Sequence, residues 1–275
     1  MARLLDGRPA AEAINRETLL RAVELRDRGI VPALALMRVG GGADWSKFAD
    51  MAVEACRLAG VEVMTSYTPN TKRLRGTIEN VNRDGSIHGV VVLRPLPDED
   101  AEELLRRSLD PLKDVDGMAM SSLASVFVGH GKVFAPCPAR AVMELLDHYG
   151  VPLAGRRAVI IGHGLVMGKP LAMLMLERGA AVTLCPGEAE ADGFCRESDV
   201  IVSSRPLDPA LLHEGQTVLY MNDGGLGDVQ ITAADVDAAL AAGADVAPIP
   251  GGIDAVSYAI LALHTVMAAD LQYPF

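Results

Sequence analysis

Apolar and polar residues alternate along the chain with two distinct periods. Short aliphatic runs between turn residues predict buried strands, and apolar residues spaced three and four apart predict amphipathic helices. Strands are predicted at 31–40, 61–68, 87–97, 156–162, 180–185, 199–204, 217–222 and 244–250. Helices are predicted at 9–29, 45–60, 71–84, 99–107, 138–150, from the glycine-rich turn to about 179, and at 255–270. Because strands alternate with helices, the pattern predicts an α/β fold with parallel sheets and a domain boundary near 136–150.

The helix predicted at 45–60 carries one continuous apolar stripe. Its members fall at the i, i+4, i+7, i+8 and i+11 spacing, and they are Phe48, Ala52, Ala55, Cys56 and Ala59. The charged residues of the segment lie mostly off this stripe. The pattern alone indicates a helix that packs its stripe against a core. The alternative is a catalytic helix that has lost its reactive side chains.

Composition and charge narrow the class of protein. Half of the 275 residues are apolar and only 4% are aromatic, which suits buried parallel strands covered by Ala-rich helices. The formal net charge of −11 argues against nucleic acid or an anionic membrane as the main partner. This charge balance is still compatible with a local pocket for a small anionic ligand.

Several features are expected to be absent. The four cysteines are scattered without a C-x-x-C pair, so we expect neither a metal site nor a disulfide framework. The opening segment is charged and lacks the apolar core of a signal peptide. The richest apolar stretch, 158–176, is interrupted by charged residues, glycines and a proline, so we expect no membrane span. Together these features predict a cytoplasmic protein.

A glycine-rich turn follows the strand predicted at 156–162. In VIIGHGLVMGKP, Gly162, Gly164 and Gly168 stand between a strand and a helix. Such a turn lets the backbone approach a pyrophosphate, whose charge the helix N-terminus favours. The spacing G-x-G-x-x-x-G is one residue longer than the usual dinucleotide fingerprint. The alternative is a tight turn that binds no ligand.

The candidate cofactor contacts lie in this turn and at the end of a later strand. They are Gly162, His163, Gly164, Leu165, Val166, Met167, Gly168, Ser203 and Ser204. The segment CPGEAEAD after the next strand offers no Arg or Lys for a 2′-phosphate. Glu188 and Glu190 are the acidic residues there that could approach a ribose hydroxyl. The cofactor is therefore expected to be NAD or NADP, with NAD favoured.

Seven segments in order resemble the methylenetetrahydrofolate dehydrogenase/cyclohydrolase family. They are LLDGRPAAEAI, HGVVVLRPLP, DPLKDVDG, FAPCPARAVMELL, GHGLVMGKPLAMLML, GDV at 227–229 and PIPGGI at 248–253. The resemblance implies a folate-type α/β domain formed by residues 1–140 and 255–275, with a Rossmann-like NAD(P)-binding domain at 141–254. It also implies a homodimer formed through the cofactor domains, with tetrahydrofolate as the small-molecule substrate.

The family oxidises methylenetetrahydrofolate by hydride transfer to a nicotinamide and then hydrolyses the methenyl product. Its pattern places a Tyr, a Lys and a Gln where this chain has Phe48, Ala52 and Leu93. The resemblance therefore indicates a divergent member whose helix at 45–60 has lost its reagents. Of the five lysines, Lys47 points away from position 52 round the helix, and Lys113 matches the family's own K-D-V-D-G signature.

The resemblance also assigns the substrate contacts. Asp116 is the expected pterin-binding carboxylate and the remaining catalytic candidate. The other expected substrate contacts are Pro95, Leu96, Pro97, Gly251 and Gly252. The alternative for Asp116 is an aspartate that caps the turn beside Gly117.

Three functions remain open at this point. The first, which we favour, is a dehydrogenase that transfers hydride from methylenetetrahydrofolate to NAD(P), because hydride transfer depends chiefly on positioning. Its cyclohydrolase activity is doubtful without the Lys. The second is a non-catalytic relative that binds a folate or a nucleotide. The third is an NAD-dependent oxidoreductase that acts on another small substrate.

Overall fold

The computed structural model describes residues 2–41, 46–129, 133–187, 191–221 and 231–274. Three features predicted from the sequence lie outside these residues: the GDV motif, Glu188 and Glu190. The helices are α1 (Gly7–Asp27), α2 (Ser46–Leu58), α3 (Thr71–Arg83), α4 (Glu99–Ser108), α5 (Met120–Val128), α6 (Cys137–His148), α7 (Gly168–Glu177), α8 (Ala191–Glu197), α9 (Ala233–Ala241) and α10 (Ile253–Gln272). The strands are β1 (Ala33–Val39), β2 (Glu62–Thr68), β3 (Gly89–Val92), β4 (Arg157–Ile161), β5 (Ala181–Cys185), β6 (Val200–Ser203), β7 (Thr217–Tyr220) and β8 (Asp245–Ala247).

The chain divides into two compact units. The three-stranded unit comprises Glu12–Cys137 and Tyr258–Phe275, and the five-stranded unit comprises Met1–Ala11 and Pro138–Ser257. All strand pairings in both units are parallel. The predicted α/β fold with parallel sheets is therefore confirmed.

The three-stranded unit is built on a sheet in the order β2-β1-β3. The central strand β1 is buried at every position except Arg38, as expected for a strand covered on both faces. Asn70 and Asp98 begin the neighbouring helices α3 and α4, each accepting a backbone N–H from the first turn. These two helices bury their apolar stripes against β1 and β3. This packing holds β1 and β3 in place and so fixes the position of their carboxyl ends.

Strand β3 is shorter than the sequence pattern predicts. The strand expected at 87–97 ends at Val92, and Pro95, Leu96 and Pro97 belong to the loop before α4. A proline has no N–H for the sheet ladder, so it cannot continue a strand. The pattern also gave no sign of α5, α8 or α9. The proline-containing loop is the segment in which the substrate contacts were expected.

The five-stranded unit has the strand order β5-β4-β6-β7-β8. The chain passes from β4 to β5 on one side and returns to β6 on the other, so the order reverses at β4. Ligands of such sheets bind in the crevice at the carboxyl ends of the strands beside this switch point. The glycine-rich turn follows β4 and therefore stands at that crevice.

The first residues of the chain pack on the last strand of this sheet. The Leu5 N–H donates to the Val246 carbonyl over 2.7 Å, and the Val246 N–H donates to the Arg3 carbonyl over 2.9 Å. The Arg3 guanidinium also pairs with Asp245 at 2.7 Å. Residues 1–11 thus cluster with the five-stranded unit, whereas the sequence analysis assigned them to the folate-type domain. The predicted domain bounds as a whole stay a prediction.

Helix α10 is the one described helix that is long and apolar enough to cross a membrane. Most of its apolar stretch is buried inside the protein. A core helix meets the same criteria of length and composition, so this helix is weak support for a membrane span.

Candidate active site

Two aspartates of the DVDG segment have different roles. Both carboxylate oxygens of Asp114 are occupied, since they accept hydrogen bonds from the Met118 and Ala119 N–H groups at 3.0 and 2.7 Å. The Ser122 hydroxyl adds a third at 2.5 Å. Asp114 therefore holds the turn that leads into α5. The capping role that remained open for Asp116 belongs instead to Asp114.

The Asp116 carboxylate faces the loop after β3. Its Oδ2 lies 3.3 Å from Nη1 of Arg94, and both side chains are largely buried. Burial raises the pKa of the Asp116 carboxyl to about 6; Arg94 opposes this rise, while Asp114 and Glu102 add to it. This contact joins Asp116 to the residue that directly precedes Pro95. With Arg94 in place, the pKa of Asp116 is about 6, so its carboxyl is mostly ionised at pH 7.

Gly117 fixes the chain path beside Asp116. Its φ of +70° lies in the left-handed region, and a Cβ here would meet the Ala135 carbonyl carbon and the Pro136 nitrogen at 2.5 Å. Only glycine permits this approach of two backbone segments. The segment before α6 is thereby held against the DVDG turn.

The residue that follows this segment, Cys137, is buried next to Asp116. Its Sγ lies 3.2 Å from the Val115 carbonyl oxygen and 3.7 Å from Nδ1 of His264. Burial raises the pKa of the thiol well above its usual value, with the neighbouring aspartates adding to the effect. The raised pKa favours the neutral thiol of Cys137, which is a weaker nucleophile than a thiolate.

Helix α2 turns most of its apolar stripe inward. Ala52 is 1% exposed, and Ala55, Cys56 and Ala59 are also buried. Phe48, at the outer end of the stripe, is 38% exposed and packs edge-on against the Tyr258 ring with 5.3 Å between centroids. Leu93 is buried directly after β3, where its N–H donates to the Met37 carbonyl. The prediction that Phe48, Ala52 and Leu93 share one pocket wall stays a prediction.

The described lysines of the three-stranded unit, Lys47, Lys72 and Lys113, are either exposed or engaged by backbone carbonyls. Lys113 is buried and donates from Nζ to the Val81 and Asp84 carbonyls at 2.8 and 2.7 Å. Burial lowers the pKa of this ammonium. Lys113 therefore anchors the end of α3, and Lys47 and Lys72 lie exposed on helix surfaces.

The glycine-rich turn has the close packing that a dinucleotide site requires. Gly162 has a φ of +117°, and a Cβ on Gly168 would lie 2.1 Å from the Gly162 carbonyl oxygen. A Cβ on Gly164 would meet nothing within 4 Å, and both Gly164 and His163 are exposed. The turn therefore presents an open backbone at the start of α7.

The other predicted cofactor contacts differ in accessibility. Leu165 and Val166 are partly exposed, whereas the Met167 side chain is buried and leaves its backbone as the possible contact. Ser203 is fully buried, and its hydroxyl donates to the Arg205 carbonyl at 2.8 Å. Ser204 is half-buried and is the more accessible serine at the end of β6. The cofactor role of these residues stays a prediction.

Gly251 and Gly252 belong to the five-stranded unit. The Gly7 N–H donates to the Gly251 carbonyl over 2.7 Å, and a Cβ on Gly7 would lie 1.9 Å from the Gly252 carbonyl oxygen. Asp254 accepts the Gly251 N–H at 2.8 Å and so fixes the loop that precedes α10. Their predicted role in substrate binding stays a prediction.

Two arginines that directly adjoin predicted site residues were not predicted from the sequence. Arg94 stands between Leu93 and Pro95, and Arg205 follows Ser204 directly after β6. A charged residue at the end of an otherwise apolar strand is the signal that points to each. Arg205 pairs with Asp192 in the first turn of α8 at 2.8 Å.

Comparison with known families matches both halves of the chain. Residues 5–116 match the catalytic domain of tetrahydrofolate dehydrogenase/cyclohydrolase, and residues 136–273 match its NAD(P)-binding domain. The chain belongs to the tetrahydrofolate dehydrogenase/cyclohydrolase family. This confirms the family resemblance seen in the sequence, and it confirms the expected NAD(P)-binding domain.

Relatives in this family match along their whole length. The bifunctional protein FolD of Alkaliphilus oremlandii is 32% identical, and the alignment covers 99% of each chain. The crystal structure of the bifunctional enzyme FolD, methylenetetrahydrofolate dehydrogenase/cyclohydrolase, from Campylobacter jejuni has a TM-score of 0.88 at 28% identity, covering 99% of this chain and 100% of that one. The Trypanosoma brucei methylenetetrahydrofolate dehydrogenase-cyclohydrolase, solved with NADP and an inhibitor, has a TM-score of 0.86 at 26% identity, covering 100% and 99%.

Proposed function

We propose that this chain oxidises 5,10-methylenetetrahydrofolate by hydride transfer to NAD(P), with Asp116 as the carboxylate that holds the pterin ring. The observation that carries the proposal is the Asp116 carboxylate, which is largely buried and is not used to cap the turn. A carboxylate in such a position accepts hydrogen bonds strongly from an amino-pyrimidine edge. Hydride transfer needs the two reactants positioned, and it needs no proton-transfer group.

The cyclohydrolase half of the reaction is weakened in this proposal. A positioned acid–base group contributes about 10²–10⁴-fold to a rate, and a methyl group at position 52 transfers no proton. We expect methenyltetrahydrofolate hydrolysis to be absent or at least about 10²-fold slower than in a relative that has the Lys. Hydrolysis at the relative's rate would refute this.

NAD is the preferred cofactor in this proposal. The cation at the carboxyl end of β6, Arg205, is already paired with Asp192. A negative carboxylate in the first turn of α8 disfavours a 2′-phosphate and suits a ribose hydroxyl. Calorimetric titration with NAD and with NADP tests the preference, and tighter NADP binding would overturn it.

The remaining expectations concern partners and location. We propose a homodimer formed through the cofactor domains, with the folate and the dinucleotide as small-molecule partners. The net charge of −11 supports the absence of a nucleic-acid or anionic-membrane partner. A cytoplasmic location stays a prediction. Light scattering of the purified chain tests the dimer, and a monomer at micromolar concentration would contradict it.

A second candidate is an NAD-dependent oxidoreductase for another small substrate. Phe48, Ala52 and Leu93 support it, because they are apolar at positions where the resemblance implies polar family residues. Thermal unfolding with reduced folates, NAD and NADP separates the candidates, because a ligand at about 100 times its Kd adds about 2.7 kcal/mol to the free energy of unfolding. Stabilisation by NAD together with a folate, followed by formation of NADH, supports the dehydrogenase. Stabilisation by NAD without any response to folates supports the second candidate.

A further inference from the structure

Four charged side chains form a row that ends at Asp116. Arg106 lies 3.2 Å from Glu102, the Arg94 Nε lies 3.1 Å from the other Glu102 oxygen, and the Arg94 Nη1 lies 3.3 Å from Asp116. The charges alternate along the row. Its outer end borders a surface cleft of about 510 Å³ that Glu99, Glu102 and Arg106 help to line.

Arg94 is held in a fixed orientation within this row. Its Nη1 also donates to the Val92 carbonyl at 3.2 Å, so the guanidinium contacts two carboxylates and the end of β3. The side chain is only 18% exposed. A planar guanidinium with several partners loses little further freedom when it binds a carboxylate. Its position beside Asp116 is therefore set by β3 and α4.

We propose that Arg94 is a positioning residue that keeps the Asp116 carboxylate ionised and oriented for the ligand. The inference rests on the proposed function, in which Asp116 holds the substrate ring. Arg94 supplies a positive charge whose Nη1 lies 3.3 Å from the Asp116 carboxylate. It acts through Asp116 and transfers no proton itself.

The groups around Asp116 divide by their effect on its charge. Arg94, from the loop after β3, and the thiol of Cys137, at the start of α6, favour the ionised carboxylate. Burial, Asp114 on the same segment and Glu102 from α4 oppose it. His264, from α10, lies against Cys137 and the Val115 carbonyl. Burial and the two acidic neighbours already raise the pKa of Asp116 on balance, and without Arg94 they would raise it further.

The consequence is a pH dependence of folate binding that Arg94 sets. The pKa of Asp116 is already raised to about 6, so removal of the neighbouring cation moves its titration into the neutral range. An opposite charge at this distance typically shifts such a midpoint by about 1 pH unit or more. Replacement of Arg94 by Leu is then expected to lower the affinity for a reduced folate about fivefold at pH 6 and hardly at all at pH 9.

Three variants test the proposal: Arg94→Leu, Arg94→Lys and Arg106→Leu. Arg106 contacts Glu102 in the same row but has no contact with Asp116, so its replacement is the matched control. The dissociation constant of 5-formyltetrahydrofolate is measured from pH 5 to pH 9 for each variant. Arg94→Leu should move the binding midpoint upward, Arg94→Lys should restore it in large part, and Arg106→Leu should leave it near the wild-type position.

A second measurement does not depend on folate binding. The Asp116 carboxyl carbon is titrated by ¹³C NMR in the wild type and in the same variants, with circular dichroism as the check on folding. Equal affinity loss at every pH, or an unchanged carboxyl midpoint in Arg94→Leu, would overturn the positioning role. Wild-type protein that shows the expected carboxyl midpoints but binds no folate would overturn the proposed function and leave the effect of Arg94 on Asp116 established.

Discussion

Position 52 is the residue at which the predicted divergence of this chain from its family would affect the chemistry most. Ala52 is 1% exposed, on the inner face of α2. A lysine introduced there would lose hydration, which lowers its pKa and favours the neutral amine. We expect Ala52→Lys alone to restore methenyltetrahydrofolate hydrolysis less than about tenfold and to lower the free energy of unfolding by several kcal/mol.

The triple variant Phe48→Tyr, Ala52→Lys, Leu93→Gln is the companion test. It adds polar groups on α2 and at the end of β3, which the shared pocket wall that we predict would place beside the new amine. We expect it to recover more activity than the single variant, within the factor of about 10²–10⁴ that an acid–base group contributes. Stopped-flow absorbance of the methenyl substrate measures both. Equal recovery by the two variants would show that the three positions do not act together.

At the scale of one element, the turn between β4 and α7 offers a matched pair of glycines. A Cβ on Gly168 would lie 2.1 Å from a backbone oxygen, whereas a Cβ on Gly164 would meet nothing. Gly168→Ala therefore forces the turn open. It should lower the free energy of unfolding by about 1–3 kcal/mol and weaken NAD binding about tenfold or more. Gly164→Ala should leave stability within about 0.5 kcal/mol, and similar stability losses in the two variants would contradict the packing argument.

Helix α8 gives a prediction about cofactor choice. Asp192 neutralises Arg205, whose Nε has no hydrogen-bond partner among the described residues. Asp192→Asn would leave the guanidinium at the end of β6 without its counter-ion. We expect NADP binding to strengthen relative to NAD by about 3–10-fold, since a surface charge of this kind contributes about 1 kcal/mol. Calorimetric titration at low and high salt checks this, and an unchanged NADP/NAD ratio would count against it.

The helices and strands differ in how well the sequence pattern predicts their bounds. The sequence pattern located β1, β4 and α3 to within about two residues, because β1 and β4 are continuous apolar runs and α3 has one clear buried face. It missed α5, whose run of apolar residues leaves Phe127 and Val128 exposed and so lacks a clear period. It extended β3 to residue 97, because the apolar run continues past the end of the strand at Val92.

The candidate site was predictable only where a motif marked it. Asp116 and the glycine turn stand in recognisable segments, so the sequence pointed to them directly. The salt bridge between Arg94 and Asp116 joins residues 22 positions apart, and no periodicity reveals such a pairing. The sequence likewise does not reveal that Asp114 accepts the backbone N–H groups of the turn while Asp116 contacts Arg94. Both features depend on tertiary contacts, which the sequence pattern does not encode locally.

At the scale of the whole molecule, the opening segment is tied to the end of the five-stranded unit. Gly7 approaches the Gly252 carbonyl so closely that a Cβ would lie 1.9 Å from its oxygen. Gly7→Ala should therefore lower the free energy of unfolding by about 1–3 kcal/mol, because the obstructing atom belongs to backbone. Thermal unfolding measures the loss. Gly187→Ala, where a Cβ meets nothing within 4 Å, is the control, and equal melting temperatures for the two variants would contradict the prediction.

The N-terminal segment that packs on β8 is synthesised long before its partners. Arg3 and its partner Asp245 are 242 positions apart, so the ribosome makes one long before the other. At about 5–20 residues per second, roughly 12–50 s pass before the second appears, whereas a helix forms in about a microsecond. During that whole interval Leu5 cannot pack on β8, where it is fully buried in the folded protein. A nascent chain stalled short of residue 245 should thus leave its first residues open to protease, and release past residue 252 should protect them.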